Sequence, residues 1–319
     1  MNMTEPLSFD NATQTRANGR GRLLLDESMA KHVTWRAGGL ARQVYAPSDL
    51  ADLQCFLATL PVTEPITFVG LGSNFLVRDG GYDGTIILMH RSDAKIRVDG
   101  DLVWADAGAA SPKLARFSAL QALEGGEFLA GVPGTIGGAL AMNAGCYGAQ
   151  TWEVVARVQT IDRHGVLRER MPSEFTLGYR HCSLSELNEP RGAVLGVNEW
   201  FTAGWFKFRS GDMQAARARI TTWLARRVAT QPLNLPNAGS VFRNPPNDYA
   251  ARLIEASGLK GFAIGAARIS ERHANFIVNP GGAGSAAAIE ALIAHARVTV
   301  AQRFGIDLIP EVRIIGTAA

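Results

Sequence analysis

Cysteine is scarce in this chain: Cys55, Cys146 and Cys182 are the only three in 319 residues, odd in number, with no CxxC pair and no histidine at ligand spacing. A disulfide framework and a zinc site are both excluded on that count, and no metal is expected. The six histidines are scattered, and each reads as structural or surface. Long apolar runs are missing as well. The first twenty residues are polar, and no stretch is long enough to cross a bilayer, so neither a secretion signal nor a membrane association is expected and the chain reads as cytoplasmic. A basic run is also absent. The net charge of +3 is spread along the chain, which suits a small anionic ligand rather than a nucleic acid. No repeat or low-complexity tract occurs, and no obligate protein partner is indicated.

What the chain does have is glycine, 34 residues of it, concentrated where turns are needed. The stretch GGEFLAGVPGTIGGALAMNAGCYG, residues 125–148, reads as a binding loop. Its Gly131, Gly134, Gly137, Gly138 and Gly145 could turn backbone amides toward an anion, with no Cβ in the way. A second cluster, GLGSN at 70–74, follows the apolar strand Ile66–Val69, and its amides and the Ser73 and Asn74 side chains make a second phosphate cradle. As a dinucleotide signature it is incomplete, lacking the third glycine and a periodic helix behind it.

Patterning gives an α+β chain. Leu50, Leu53, Phe56, Leu57 and Leu60 share one helical stripe, and strands are expected at 85–89, 96–98, 102–107, 154–161 and 193–197. Ser111-Pro112 opens a helix. Met213, Ala216, Ile220, Trp223, Leu224 and Val228 form the inward stripe of a helix over 212–228, with its arginines outward. Asp248 and Ser285 read as caps of two further helices, and a last strand over 308–315 carries Glu311. A change of character near residue 205 suggests three parts: a loose arm over 1–25, a ligand-binding region over 26–205, and a smaller α/β unit over 206–319.

Seven separated motifs, GLGSNFLVRDGGYDG, the 125–148 loop, GYR at 178–180, QPLNLPNAGSVFRNP at 231–245, SGLKG, ERHANFIVN and PEVRIIG, occur in the order of one family. From about Lys31 to Gly316 the chain closely resembles the UDP-N-acetylenolpyruvoylglucosamine reductase (MurB) family, in the compact form that lacks a tyrosine-bearing lid. The resemblance implies an FAD-binding region of two subdomains, of the vanillyl-alcohol-oxidase (PCMH) type, followed by a substrate-binding domain. It implies noncovalent FAD, NADPH as reductant, and UDP-N-acetylglucosamine enolpyruvate as the substrate reduced to UDP-N-acetylmuramate for peptidoglycan.

By the same resemblance Arg180 matches the arginine of the family's YR motif, Ser240 its proton donor, and Glu311 its catalytic glutamate. Glu311 either carries a proton in the complex or acts through Arg180 or water. The expected FAD residues are Gly70, Gly72, Ser73, Asn74, Gly131, Gly134, Thr135, Gly137, Gly138, Asn143 and Gly145, with Arg36 of the WRAGG motif. Asn244, Lys260 and His273 are expected at the UDP moiety. Cys182 and Leu184 stand where the family often has serine and phenylalanine, and Arg268 where an uncharged residue is usual. Two other readings share parts of this pattern: an FAD-dependent alcohol or sugar oxidase, and a flavin-free nucleotide-sugar binder.

Overall fold

The computed structural model describes residues 14–15, 20–185 and 194–319. Helix α1, Leu50–Thr59, begins at Asp49, whose carboxylate accepts the Asp52 amide at 2.9 Å. It buries Leu53, Phe56 and Leu57 on a five-stranded mixed sheet. The strand order there is Gln14–Thr15, Arg22–Ser28, Leu40–Ala46, Tyr82–Leu88, Ile66–Val69. Leu40–Ala46 and Ile66–Val69 run parallel to Tyr82–Leu88 between them, so the α1 crossover delivers the chain to the loop at Gly70. The expected loose arm is shortened by this sheet. Arg22 to Leu25 pair with Ala46 to Gln43, because Leu24 has an apolar face to cover. The rest of the arm, apart from residues 14–15 and 20–21, lies outside the described residues.

A second five-stranded sheet is antiparallel throughout, in the order Leu167–Arg170, Val155–Asp162, Glu199–Phe206, Leu102–Asp106, Ile96–Asp99. Helices α2 (Ser111–Leu120), α3 (Ile136–Ala141) and α4 (Met213–Thr230) share its core through Leu114, Ile136, Leu140, Ala216 and Ile220. The break expected at 205/206 therefore cuts off a helix that packs with the first region. The strand expected over 193–197 is also displaced. Ala193 lies outside the described residues, while Gly196 takes φ +78° in a turn and the strand starts at Glu199.

Helices α5 (Ala250–Ala256) and α6 (Ala286–Phe304) cover a small antiparallel sheet of Ala263–Ile264, Ala267–Ile269 and Ile277–Val278. The Ser285 side chain caps α6, accepting the Ala288 amide at 3.1 Å. Asp248 does not cap α5 in this manner: it accepts the adjacent Tyr249 amide at 2.7 Å, while Asn244 Oδ1 accepts the amide of Ala250 at 3.1 Å.

Two contacts fix this unit to the first region. Trp35, fully buried, donates its indole N–H to Ile277 O at 2.7 Å, and Asn279 Nδ2 donates back to Trp35 O at 2.9 Å. The closing strand, Arg313–Ile315, is shorter than expected, and it pairs in parallel with Phe75–Val77 instead of joining the small sheet. Just before it, Pro310 forms an isolated antiparallel bridge with Phe242, at a position that needs no N–H from the proline. Glu311 thus precedes the strand, its amide held by Val241 O at 2.7 Å. Replacing Trp35 by phenylalanine leaves the Ile277 carbonyl buried without its donor and should cost about 1–3 kcal/mol of stability. Urea unfolding measures it, and an unchanged midpoint would dismiss the tie.

Candidate active site

The two glycine loops meet edge to edge. Gly72 turns the first at φ +64°, and a Cβ there would strike His32 O. A Cβ on Gly134, at φ +98°, would lie 2.6 Å from Ser73 Oγ. Gly70 meets the Thr135 side chain in the same way. Gly70 and Gly134 are needed because the loops touch one another, and Gly72 because the first loop packs on His32 and Val33. Of the five glycines of the second loop expected to offer amides to an anion, two have theirs engaged within the protein. Gly137 N donates to Ala107 O at 2.8 Å and Gly138 N to Thr135 Oγ1 at 3.5 Å, so both line a wall with their amides already engaged.

The loops form one side of a cleft that opens to solvent. Gly70, Gly72, Ser73, Asn74, Gly131, Gly134, Thr135, Gly137, Gly138 and Gly145 line it together with Arg180, Ser240 and Glu311. Segments more than 200 residues apart in sequence, at Asn74 and Glu311, are tied by a 3.1 Å bond from Asn74 Nδ2 to Glu311 O. The cleft has apolar faces at Phe68, Met89, Leu195 and Trp200 as well as its glycine wall and arginines. A flavin dinucleotide, with flat rings and a dianionic linker, fits such a lining.

Arg180 sits in the turn of a hairpin between Phe175–Gly178 and His181–Leu184, at φ +55°. Arginine rarely adopts this conformation, and the cost is borne where the side chain is needed. Its Nη2 donates to Gly145 O at 2.9 Å, and its Nε lies 2.9 Å from Glu311 Oε1. That Nε–H is buried and directed at no acceptor, so the pair is one of charge more than of hydrogen bonding. Burial raises the Glu311 pKa above the ordinary carboxyl value, and the charges of Arg180 and Arg243 only partly oppose it. Ser240 reaches the cleft from a turn in which Asn237 Oδ1 accepts the Gly239 amide at 2.9 Å.

Five expected site residues do not line the cleft. Asn143 is buried and bonds Gly178 O at 2.9 Å and Gln150 Oε1 at 3.0 Å, bracing the Arg180 hairpin against the glycine loop. Arg36 is exposed. Asn244 holds the start of α5. Lys260 pairs with Glu255 at 2.8 Å. His273 packs edge-on against Phe276, which does line the cleft, and burial lowers its pKa.

Three polar residues of the lining were missed: Arg227, Gln231 and Arg313. Arg227 bonds Gln231 Oε1 at 2.7 Å through Nε. A signal for it existed, since position 227 lies one turn beyond Trp223 and Leu224 on the inward stripe of α4, whereas Val228, assigned to that stripe, is 60% exposed. Cys146 and Cys182 also line the cleft. Burial raises both thiol pKa values, that of Cys182 to about 12, which keeps them protonated and poor as nucleophiles toward a flavin.

The fold and the cleft define a flavoprotein of the FAD-binding, two-subdomain class: residues 41–169 match the profile described as "FAD binding domain". Residues 231–315 match "UDP-N-acetylenolpyruvoylglucosamine reductase, C-terminal domain". Enzymes of that name from Thiobacillus denitrificans and Nitrosospira multiformis are 53% and 52% identical to the chain, covering 93% and 98% of it and 93% and 94% of their own lengths. The crystal structure of the Thermus caldophilus enzyme superposes with a TM-score of 0.76 at 28% identity, over 93% of this chain and 99% of that one. The chain belongs to the UDP-N-acetylenolpyruvoylglucosamine reductase family.

Proposed function

We infer that this protein reduces UDP-N-acetylglucosamine enolpyruvate to UDP-N-acetylmuramate, with FAD as cofactor and NADPH as reductant, in the synthesis of peptidoglycan precursors. The observation that carries the reading is the convergence of both glycine loops with Arg180, Ser240 and Glu311 on one cleft. No helix among the described residues is long and apolar enough to cross a membrane. We place the reaction in the cytoplasm, with consequences for wall growth, cell shape and division. We also propose that the substrate-binding unit begins near Gln231, after α4, where the family's C-terminal profile starts.

Held between the Gly70–Asn74 and Gly131–Gly145 loops, FAD would supply to the vinyl carbon of the enol ether the hydride that NADPH provides. The surrounding side chains manage the charge and the proton. Charge spreads into the adjoining carboxylate as an enediolate, and Arg180 is placed to bind those oxygens with its guanidinium fork. As the substrate carboxylate draws on Arg180, Glu311 shares its nearest cation while facing a second anion. Both changes favour its proton, so in our reading Glu311 is protonated in the complex. Ser240 delivers the proton to the neighbouring carbon, its weak acidity offset by position.

Purified protein should be yellow, lose its colour with NADPH in the absence of oxygen, and regain it when the enolpyruvyl nucleotide sugar is added. Reoxidation by oxygen alone, with peroxide, would instead mark an oxidase. A protein that takes up no flavin would mark a nucleotide-sugar binder.

The sign of the Glu311 shift gives a stability test. A raised folded pKa contributes stability below the ordinary carboxyl pKa, and that contribution is lost as pH rises through the raised value. Glu311→Gln should therefore gain thermal stability relative to the parent on going from pH 4 to pH 8. A difference in melting temperature that does not change with pH would contradict the shift.

A further inference from the structure

Arg313 and Arg227 are cations of the cleft lining that none of these roles uses, and of the two Arg313 stands beside the Gly70–Asn74 loop. Its place is set by the backbone: its amide donates to Asn74 O at 3.0 Å, and Arg313 is the register partner of Phe75, directly after the Gly70–Asn74 loop. The guanidinium carbon lies 5.4 Å from the centre of the Phe75 ring. Nη1 would lie 3.4 Å from a Cβ on Gly196, so the side chain fills the space that this glycine leaves. Gly196 belongs to the same wall as Leu195 and Trp200. Among the described residues no carboxylate lies within ion-pair distance of Arg313.

Glu311, two residues earlier, feels the charges of Arg180 and Arg243 but not that of Arg313. The guanidinium sits instead against Phe75 and Gly196. Arg313 is exposed at the cleft, so its fork is open to an anion that enters beside the glycine loop. The adjacent glycine loop offers amides and two side chains but no charge.

We propose that Arg313 is the charged partner of the FAD diphosphate, completing a cradle in which the Gly70–Asn74 loop supplies dipoles and Arg313 supplies the compensating charge. This rests on the FAD reading of the same cleft. Arginine suits the task because its planar fork binds two phosphate oxygens at once and stays protonated even when desolvated. Phe75 stacks behind the guanidinium and restricts its swing.

The test is made on holoprotein. Parent, Arg313→Gln and Arg313→Lys are each diluted in series and free flavin is read by its fluorescence. We expect the FAD dissociation constant to rise about 10- to 100-fold in the glutamine variant, with partial recovery in the lysine variant. The rise of the constant with added salt should be shallower in the glutamine variant than in the parent. The redox potential of the flavin that stays bound should not change, since the diphosphate lies far from the ring. A lowered potential would put the cation at the flavin ring and overturn the assignment, as would an equal dissociation constant. Lost thermal stability of the flavin-free protein, matching the lost affinity, would make Arg313 a structural residue and also overturn it. Parent protein that retains no flavin would refute the FAD reading itself, a result visible before any variant is made.

Discussion

Ser240→Ala should still bleach with NADPH, at close to the parent rate, and should then recover its colour with enolpyruvyl substrate about 10²- to 10⁴-fold more slowly. The two half-reactions separate the residue's roles. Hydride arrival from NADPH needs no proton from the chain, and Ser240 is held by the 237–239 turn, which alanine leaves intact. The second half-reaction needs a proton at the carbon next to the one that receives hydride, and alanine has none to give. Stopped-flow absorbance follows both. Unchanged anaerobic reoxidation would remove Ser240 from the proton path, and an equal slowing of both halves would mark it as a residue that positions the flavin.

Arg180→Lys should lower the rate of the same oxidative half-reaction by about 10²- to 10³-fold while leaving flavin retention near that of the parent. Lysine keeps the positive charge but loses the fork, and it gives up the bond from Nη2 to Gly145 O. It also removes the Nε that stands beside Glu311. Since burial already raises the Glu311 pKa, a more distant cation should raise it further. The high-pH limb of the oxidative half-reaction should therefore move to higher pH in the lysine variant. A purely structural role would change the amplitude of that profile without moving its midpoint.

Much of the fold and the cleft was readable in the sequence, for reasons that differ by residue. The Ser285 cap and the glycine loops were legible because they are local: the chain itself states where an amide needs a partner or a turn needs space. The Arg180, Ser240 and Glu311 trio was legible only through motif order, since nothing near Glu311 says that it faces Arg180. Arg227 escaped because arginines on an amphipathic helix are normally solvated, although its position lay on the buried stripe. Arg313 escaped because its setting comes from a strand pairing across 238 residues, from Arg313 to Phe75. Asn143 and Asn244 present the opposite case. Both lie in motifs that approach the ligand region, but their side chains are consumed by backbone groups, as asparagines beside turns and helix starts often are.

The parallel pairing of Arg313–Ile315 with Phe75–Val77 also orders the events of biosynthesis. A nascent chain that has emerged only as far as α4 already contains both glycine loops and Arg180, so the sheets that carry them can form early. Its carboxyl group at position 311 has not yet been translated. Contacts across such a separation close late, because their loop entropy is paid before they return anything. Glu311 and the Arg313 half of the cofactor cradle therefore arrive together, in the last segment to be made.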